Sequence, residues 1–140
     1  MNKEDKELLL KDLCARLPYG VKMSNINAIH NGLNLPPITV EITDYENSNP
    51  LLLIDSGFRP YLRPMSNMTD EERLKLSEIT HCNILYINDA IGVTFKLLDD
   101  ASFLDNVKAI DWLNARHFDY RGLIKKGLAL EAPEGMYNLA

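Results

Sequence analysis

Two short stretches of this chain concentrate side chains that can do chemistry. His117-Phe118-Asp119-Tyr120-Arg121 gathers an imidazole able to act as a base, a carboxylate able to orient it and a guanidinium able to clamp an anion. Arg59-Pro60-Tyr61-Leu62-Arg63-Pro64 sets two arginines around a tyrosine, the mixture that grips phosphate and stacks on bases or guanidinium planes. If this stretch is extended, Arg59, Tyr61 and Arg63 share one side.

Each stretch also has a plainer reading. His117 and Asp119 can cap helix ends while Arg121 pairs with a carboxylate and the aromatic rings pack. No second catalytic element stands at a fixed spacing from His117, so the capping reading carries more weight. The two prolines disfavour a central strand, and Arg59–Pro64 therefore reads as an edge strand or loop whose arginines stay solvated. The candidates are His117, Asp119 and Arg121 for catalysis, and Arg59, Tyr61, Arg63 and Tyr120 for a ligand or partner surface.

No metal and no cofactor is expected. His81 and Cys82 are adjacent and point in different directions in any regular element, with no further ligand at zinc spacing. His30, before Asn31-Gly32, reads as a turn residue. The acidic pairs Glu71-Glu72 and Asp99-Asp100 suit helix starts. The sequence contains neither a glycine-rich phosphate loop nor a Gly-x-Ser-x-Gly elbow.

The elements that must position these residues are legible in outline. Leu9, Leu10, Leu13, Cys14 and Leu17 fall at helical spacing over residues 3 to 17, with Lys3, Glu4, Lys6, Glu7, Lys11 and Asp12 opposite, and Pro18 ends the helix. Ile38, Val40 and Ile42 alternate with polar neighbours in the clearest strand. Shorter strands are predicted over Val21–Met23 and Leu51–Ile54, and turn compositions between them suggest an antiparallel meander. Thr69-Asp70-Glu71-Glu72 has the form of a capping box opening a helix that runs to about Thr80. A hairpin is expected within 83–98, around Asn88-Asp89-Ala90. A third helix follows, capped by Asp99, Asp100 or Ser102, with Phe103, Val107, Ile110 and Asn114 on one face and Leu104, Trp112 and Leu113 widening it. Trp112 is its expected core anchor. A short helix over Tyr120–Lys126 would end at Gly127. The tail from Ala132 reads as a turn and an extended end.

With 140 residues, 46% hydrophobic and 25% charged, the chain suits a single globular domain. The expected fold class is α+β: a small, mostly antiparallel sheet packed with three to four helices, its closure into a barrel left open. A net charge of −5 disfavours non-specific nucleic-acid binding. The start, Met-Asn-Lys-Glu-Asp, does not resemble an export signal, so a cytoplasmic setting is expected. In that setting Cys14 and Cys82 stay reduced and pack as small hydrophobes. No apolar run is long enough for a membrane span.

Leu17-Pro18-Tyr19-Gly20, Pro60 to Thr69 and Ala109 to Tyr137 resemble a family of small proteins of gut Bacteroidales genomes and their prophages. The last stretch, with its mix of Trp, His, Tyr and Arg, is the most specific. Residues 24–57 and 81–100 depart from it. The resemblance implies a bacterial or phage cytoplasmic setting and supplies no catalytic residues.

The leading expectation is a non-enzymatic protein-interaction or accessory factor, with a protein partner favoured over nucleic acid. The alternatives are a nucleic-acid-binding factor using Arg59, Tyr61, Arg63, Arg116, Arg121, Lys125 and Lys126 as a local basic face, and an enzyme built around His117.

Overall fold

The computed structural model describes residues 1–26, 36–44, 49–80 and 103–137. The hairpin expected within 83–98, the caps at Asp99, Asp100 and Ser102, and the positions of His30, His81 and Cys82 lie outside the described residues. Within them the fold is α+β. Helices α1 (Lys3–Arg16), α2 (Pro50–Asp55), α3 (Asp70–Thr80) and α4 (Phe103–Ala115) accompany strands β1 (Val21–Ser24), β2 (Thr39–Ile42), β3 (Arg59–Leu62) and β4 (Leu130–Glu131). The strands form an open sheet in the order β2-β1-β3-β4.

Helix α1 runs as its periodicity predicts, but its buried face is rotated. Leu9, Asp12, Leu13 and Arg16 are buried and Cys14 is exposed, which corrects the expectation that Cys14 packs inside and Asp12 faces water. The two charged residues can be buried because they pair across one helical turn. Helix α1 ends in a tight turn over Leu17–Tyr19, and Gly20 follows at φ 73°. A Cβ there would stand 2.7 Å from Glu41 Oε1, the end of a flexible side chain that can swing aside, so it is the left-handed backbone that demands glycine.

Strand β1, not β2, is the centre of the antiparallel part, so the expected meander order is corrected. It pairs with β2 through Val21↔Ile42 to Ser24↔Thr39, and with β3 through Met23↔Pro60 and Ser24↔Arg59. One sheet face carries Val21, Met23, Ile42 and Leu62, which pack with Leu9 and Leu13 of α1.

Strand β3 also departs from expectation, since it is an interior strand despite Pro60. The register explains why. Pro60 is opposite Met23 at a position that makes no ladder bond to β1, and the parallel ladder to β4 begins only at Tyr61. The missing N–H therefore breaks no pairing.

Leu51–Ile54, predicted as a strand, lies in helix α2. The Asn49 side chain accepts from the amides of Leu51 and Leu52, and Pro50 occupies the first helical turn. Asn-Pro here is a helix start. The capping box of α3 forms as read: Glu72 N donates to Thr69 Oγ1 and Thr69 N to Glu72 Oε1, both at 3.2 Å.

Helix α4 buries Ala109 and Leu113 against Leu76, Met65, Met68 and Phe118 in a second apolar cluster. Trp112 sits half-buried at its rim, 6.0 Å from the Phe118 ring, so Leu113 and Phe118 rather than Trp112 anchor this core. Val107, expected on the inner face, is exposed. Residues 120–127 form successive turns instead of a helix. The Asp119 carboxylate accepts from the amides of Leu123 and Ile124 at 2.8 and 3.0 Å, and Gly127 closes the turns at φ 73°.

Candidate functional site

The last turn of α4 places His117. Its amide donates to Asn114 O, and the Phe118 amide donates to Leu113 O, the paired bonds of a Schellman ending. That ending requires a left-handed residue, and His117 supplies it at φ 62°, the only non-glycine with positive φ among the described residues. Gly57 and Gly127 fill the same role at the same pair of bonds elsewhere. Histidine is one of the few non-glycine residues enriched in this region, and here the position aims its ring at the tail.

The ring lies against Tyr137, with centroids 3.7 Å apart and planes at 13°. His117 is 5% exposed, and its Nδ1 has no hydrogen-bond partner among the described residues. Burial, reinforced by the charges of Arg16, Arg63 and Lys22, pushes its pKa down to about 4. At neutral pH it is an uncharged, packed imidazole.

The structure joins the two stretches that the sequence singled out. Arg63 bridges to Phe118 in parallel: Arg63 N donates to His117 O at 2.7 Å, and Asp119 N donates to Arg63 O at 2.8 Å. The Arg63 guanidinium forks onto both Glu72 oxygens at 2.8 Å and lies 4.1 Å from the Phe118 ring centroid. Burial alone would raise the Glu72 carboxyl, but the bonds from Arg63 and Thr69 and the Arg63 charge outweigh it and hold the pKa below the usual value. Arg116 also approaches Glu72, at 3.7 Å.

Arg121 does not point towards His117. Its Nε donates to Asp12 Oδ1 at 3.1 Å, on a carboxylate that Arg16 also grips at 2.8 and 3.1 Å. Arg16 Nη2 donates onward to Phe118 O at 2.6 Å. Tyr120 lies about 5 Å from both guanidiniums, and its hydroxyl donates to Asn114 Oδ1 at 2.9 Å. Arg59 is apart from all of these. It donates to the carbonyls of Ile54 and Phe58, and burial lowers its pKa. The arginines expected to be solvated are thus bonded inward.

Three residues that matter here escaped the sequence reading. Asp12 and Arg16 are both fully buried, and their acid-before-base spacing of four was the available signal. Tyr137, in the tail, gave no periodic signal. Its hydroxyl accepts from Lys22 N at 3.1 Å and donates to Tyr61 O at 2.7 Å. Lys22 and Tyr61 are the next pair in the β1–β3 register after Met23↔Pro60, so the hydroxyl takes the place of a ladder bond. Along one edge of β3, β1 pairs at Arg59, Tyr137 bridges at Tyr61, and residues 117–119 pair at Arg63.

The Pro133–Met136 turn separates two clefts. One, of about 730 Å³, is lined by Arg63, Asn67, Thr69, Glu131, Glu134 and Tyr137. The other, of about 560 Å³, is lined by Lys22, Thr39, Val40, Glu41 and the turn itself. Of the seven candidate residues only Arg63 lines either cleft, and its fork is already closed on Glu72. Among the described residues there is no cluster of three or more potential metal ligands, and no helix is long and apolar enough to cross a membrane.

Fold and site together define a small open-sheet α+β protein whose polar clusters brace one element against the next. No family model, curated protein or solved structure matches the chain.

Proposed function

We propose that this chain is a non-enzymatic protein-interaction or accessory factor, of bacterial or phage origin, that binds a protein partner through apolar surface. The observation that carries this reading is where the polar atoms go. Arg63, Asp119, Tyr120 and Arg121 bond to other side chains or to backbone of the same chain, which is work of cohesion. Meanwhile Ile26, Ile38, Leu52 and Leu74 are more than half exposed, and this is the apolar surface that a partner would cover.

The nucleic-acid reading has less support, because Arg63, Arg116 and Arg121 face carboxylates. The enzyme reading has less again, because His117 is packed and lines neither cleft.

The test is affinity capture from lysates of a gut Bacteroidales host, repeated with an Ile38→Lys and Leu52→Lys double variant of unchanged melting temperature. Capture of one protein by the parent chain and its loss in the variant is expected. Equal capture by both, or salt-sensitive binding to DNA or RNA in its place, would remove this reading.

A further inference from the structure

Beyond β4 the chain runs over the sheet without entering the core. Ala132 N donates to Leu62 O at 2.8 Å, and Met136 N then closes a turn onto Pro133 O at 3.1 Å, with Gly135 at φ 78°. Leu128 and Ala129 are the last residues of the chain in an apolar cluster, and from Leu130 to Tyr137 none is buried. Pro133–Tyr137 is tied down instead by polar contacts and one ring stack. The Lys22 ammonium donates to Met136 O at 2.7 Å, the Tyr137 hydroxyl sits between Lys22 N and Tyr61 O, and the Tyr137 ring lies on His117.

Such ties are readily exchanged for water. A hydrogen bond contributes only its margin over the bonds to water that replace it, whereas the sheet and helices are held by apolar burial to which this segment adds little. A segment of this kind opens at a lower free energy than the whole chain unfolds. The clefts of about 730 and 560 Å³ share Pro133, Glu134 and Gly135 as a common wall, so lifting that wall merges them. The same movement takes the Tyr137 ring off His117, which is 5% exposed beneath it, and frees Lys22 N–H, Tyr61 C=O and the Lys22 ammonium together.

We propose that Pro133–Tyr137 is a strap that opens as a unit while the sheet and both apolar clusters stay folded, and that its opening merges the two clefts and uncovers the His117 imidazole. The strap works the same way whatever partner the chain binds. Closed, it keeps the imidazole packed and the β1–β3 gap filled. Open, it presents one longer groove with an amide, a carbonyl, an ammonium and an imidazole along it.

Two neighbouring amides of β1 distinguish the strap from the sheet. Asn25 N donates to Ile38 O, so Met23, opposite Val40, directs its amide to β2, while Lys22 directs its own to Tyr137. Native-state amide exchange of the full chain, followed by NMR at low urea, will show Lys22 exchanging through an opening nearly independent of urea and Met23 only with the full urea dependence of unfolding. Ile42→Val, a mild change in the core, lowers Met23 protection about fivefold and leaves that of Lys22 unchanged. Lys22→Met, which lets go of Met136 O, lowers the protection of its own amide about tenfold. Acylation of His117 by diethyl pyrocarbonate at neutral pH, located by peptide mapping, rises by the same factor in Lys22→Met and is unchanged in Ile42→Val. Equal urea slopes for Lys22 and Met23, or a Lys22 protection that falls with Ile42→Val, would overturn the proposal, because the tail then opens only with the sheet. Unchanged His117 acylation in Lys22→Met overturns it too, because the strap is then not what covers the ring.

Discussion

His117 lies face to face with Tyr137, ring centroids 3.7 Å apart. The contact ties a left-handed helix ending to a tail that follows it by twenty residues, and it explains why the tail is held down at all. The Tyr137 ring covers the imidazole while its hydroxyl closes the gap between β1 and β3. One side chain thereby couples α4, β1 and β3.

Tyr137→Phe keeps the stack and deletes the relay. Lys22 N–H and Tyr61 C=O lose their shared partner, which should cost about 1–3 kcal/mol. Urea unfolding will show a lower midpoint with an unchanged slope. Burial raises the Tyr137 pKa to about 12, so the folded chain holds a proton that the unfolded chain releases near 10. The stability this provides is complete below pH 10 and is lost as pH rises towards 12. The phenylalanine variant lacks that alkaline slope.

His117 predicts the opposite dependence on the acid side. Its folded pKa of about 4 lies below the ordinary 6.5, so between these values the unfolded chain binds the extra proton. Stability is therefore full above pH 6.5 and falls as pH drops towards 4, by on the order of 3 kcal/mol. The charges facing the ring are Arg16 from α1, Lys22 from β1 and Arg63 beyond β3, and each opposes protonation. His117→Asn, which tolerates the left-handed backbone, should flatten this slope. Identical slopes in parent and variant over that window would show that another group takes up the proton.

Much of the frame is legible in the sequence because it is local. The period of α1, the Thr69–Glu72 box and the Gly127 ending each depend on residues within about a turn of one another. Leu51–Ile54 misled because four apolar residues fit either element, and only the Asn49 cap decides for a helix. The site was half legible. Both stretches were visible, but their union through Arg63 and Phe118 spans the chain and leaves no spacing to read. Tyr137 is harder still, because what it completes is a register between two strands remote from it.

Glu72 connects three partners, so its loss should be felt beyond α3. Its carboxylate accepts from the Thr69 amide, takes the Arg63 fork and faces Arg116. Glu72→Ala removes the box and leaves Arg63 a half-buried cation beside Phe118. A loss of about 3 kcal/mol is expected, well above the ~1 kcal/mol of a cap alone. Glu72→Gln keeps the bond from the Thr69 amide through its remaining oxygen and loses the charge and one half of the Arg63 fork, because its NH2 group cannot accept. It should fall between, with a melting temperature intermediate between parent and alanine variant. Its lowered pKa also means that Glu72 stabilises above about pH 4.5 and that this is lost as pH falls below it.

The Asp12–Arg16 pair sits at the seam between the two apolar clusters, with Leu13 on one side and Phe118 on the other. Neither side chain is exposed, so their solvation is replaced by each other, by Arg121 and by Phe118 O, while Arg16 Nη1 has no hydrogen-bond partner among the described residues. Breaking such a pair on one side strands a buried charge. Asp12→Leu leaves Arg16 without its counter-ion and should cost about 3–5 kcal/mol. Arg16→Met frees the carboxylate, but Arg121 still holds it, so that single change should cost less. The double variant removes both buried charges, and Leu and Met can fill the seam. It should recover most of the loss, giving a coupling of several kcal/mol in a double-mutant cycle read by urea unfolding. Additive single effects would mean that the pair does not act as a unit and that the seam is braced by the Arg121 contact alone.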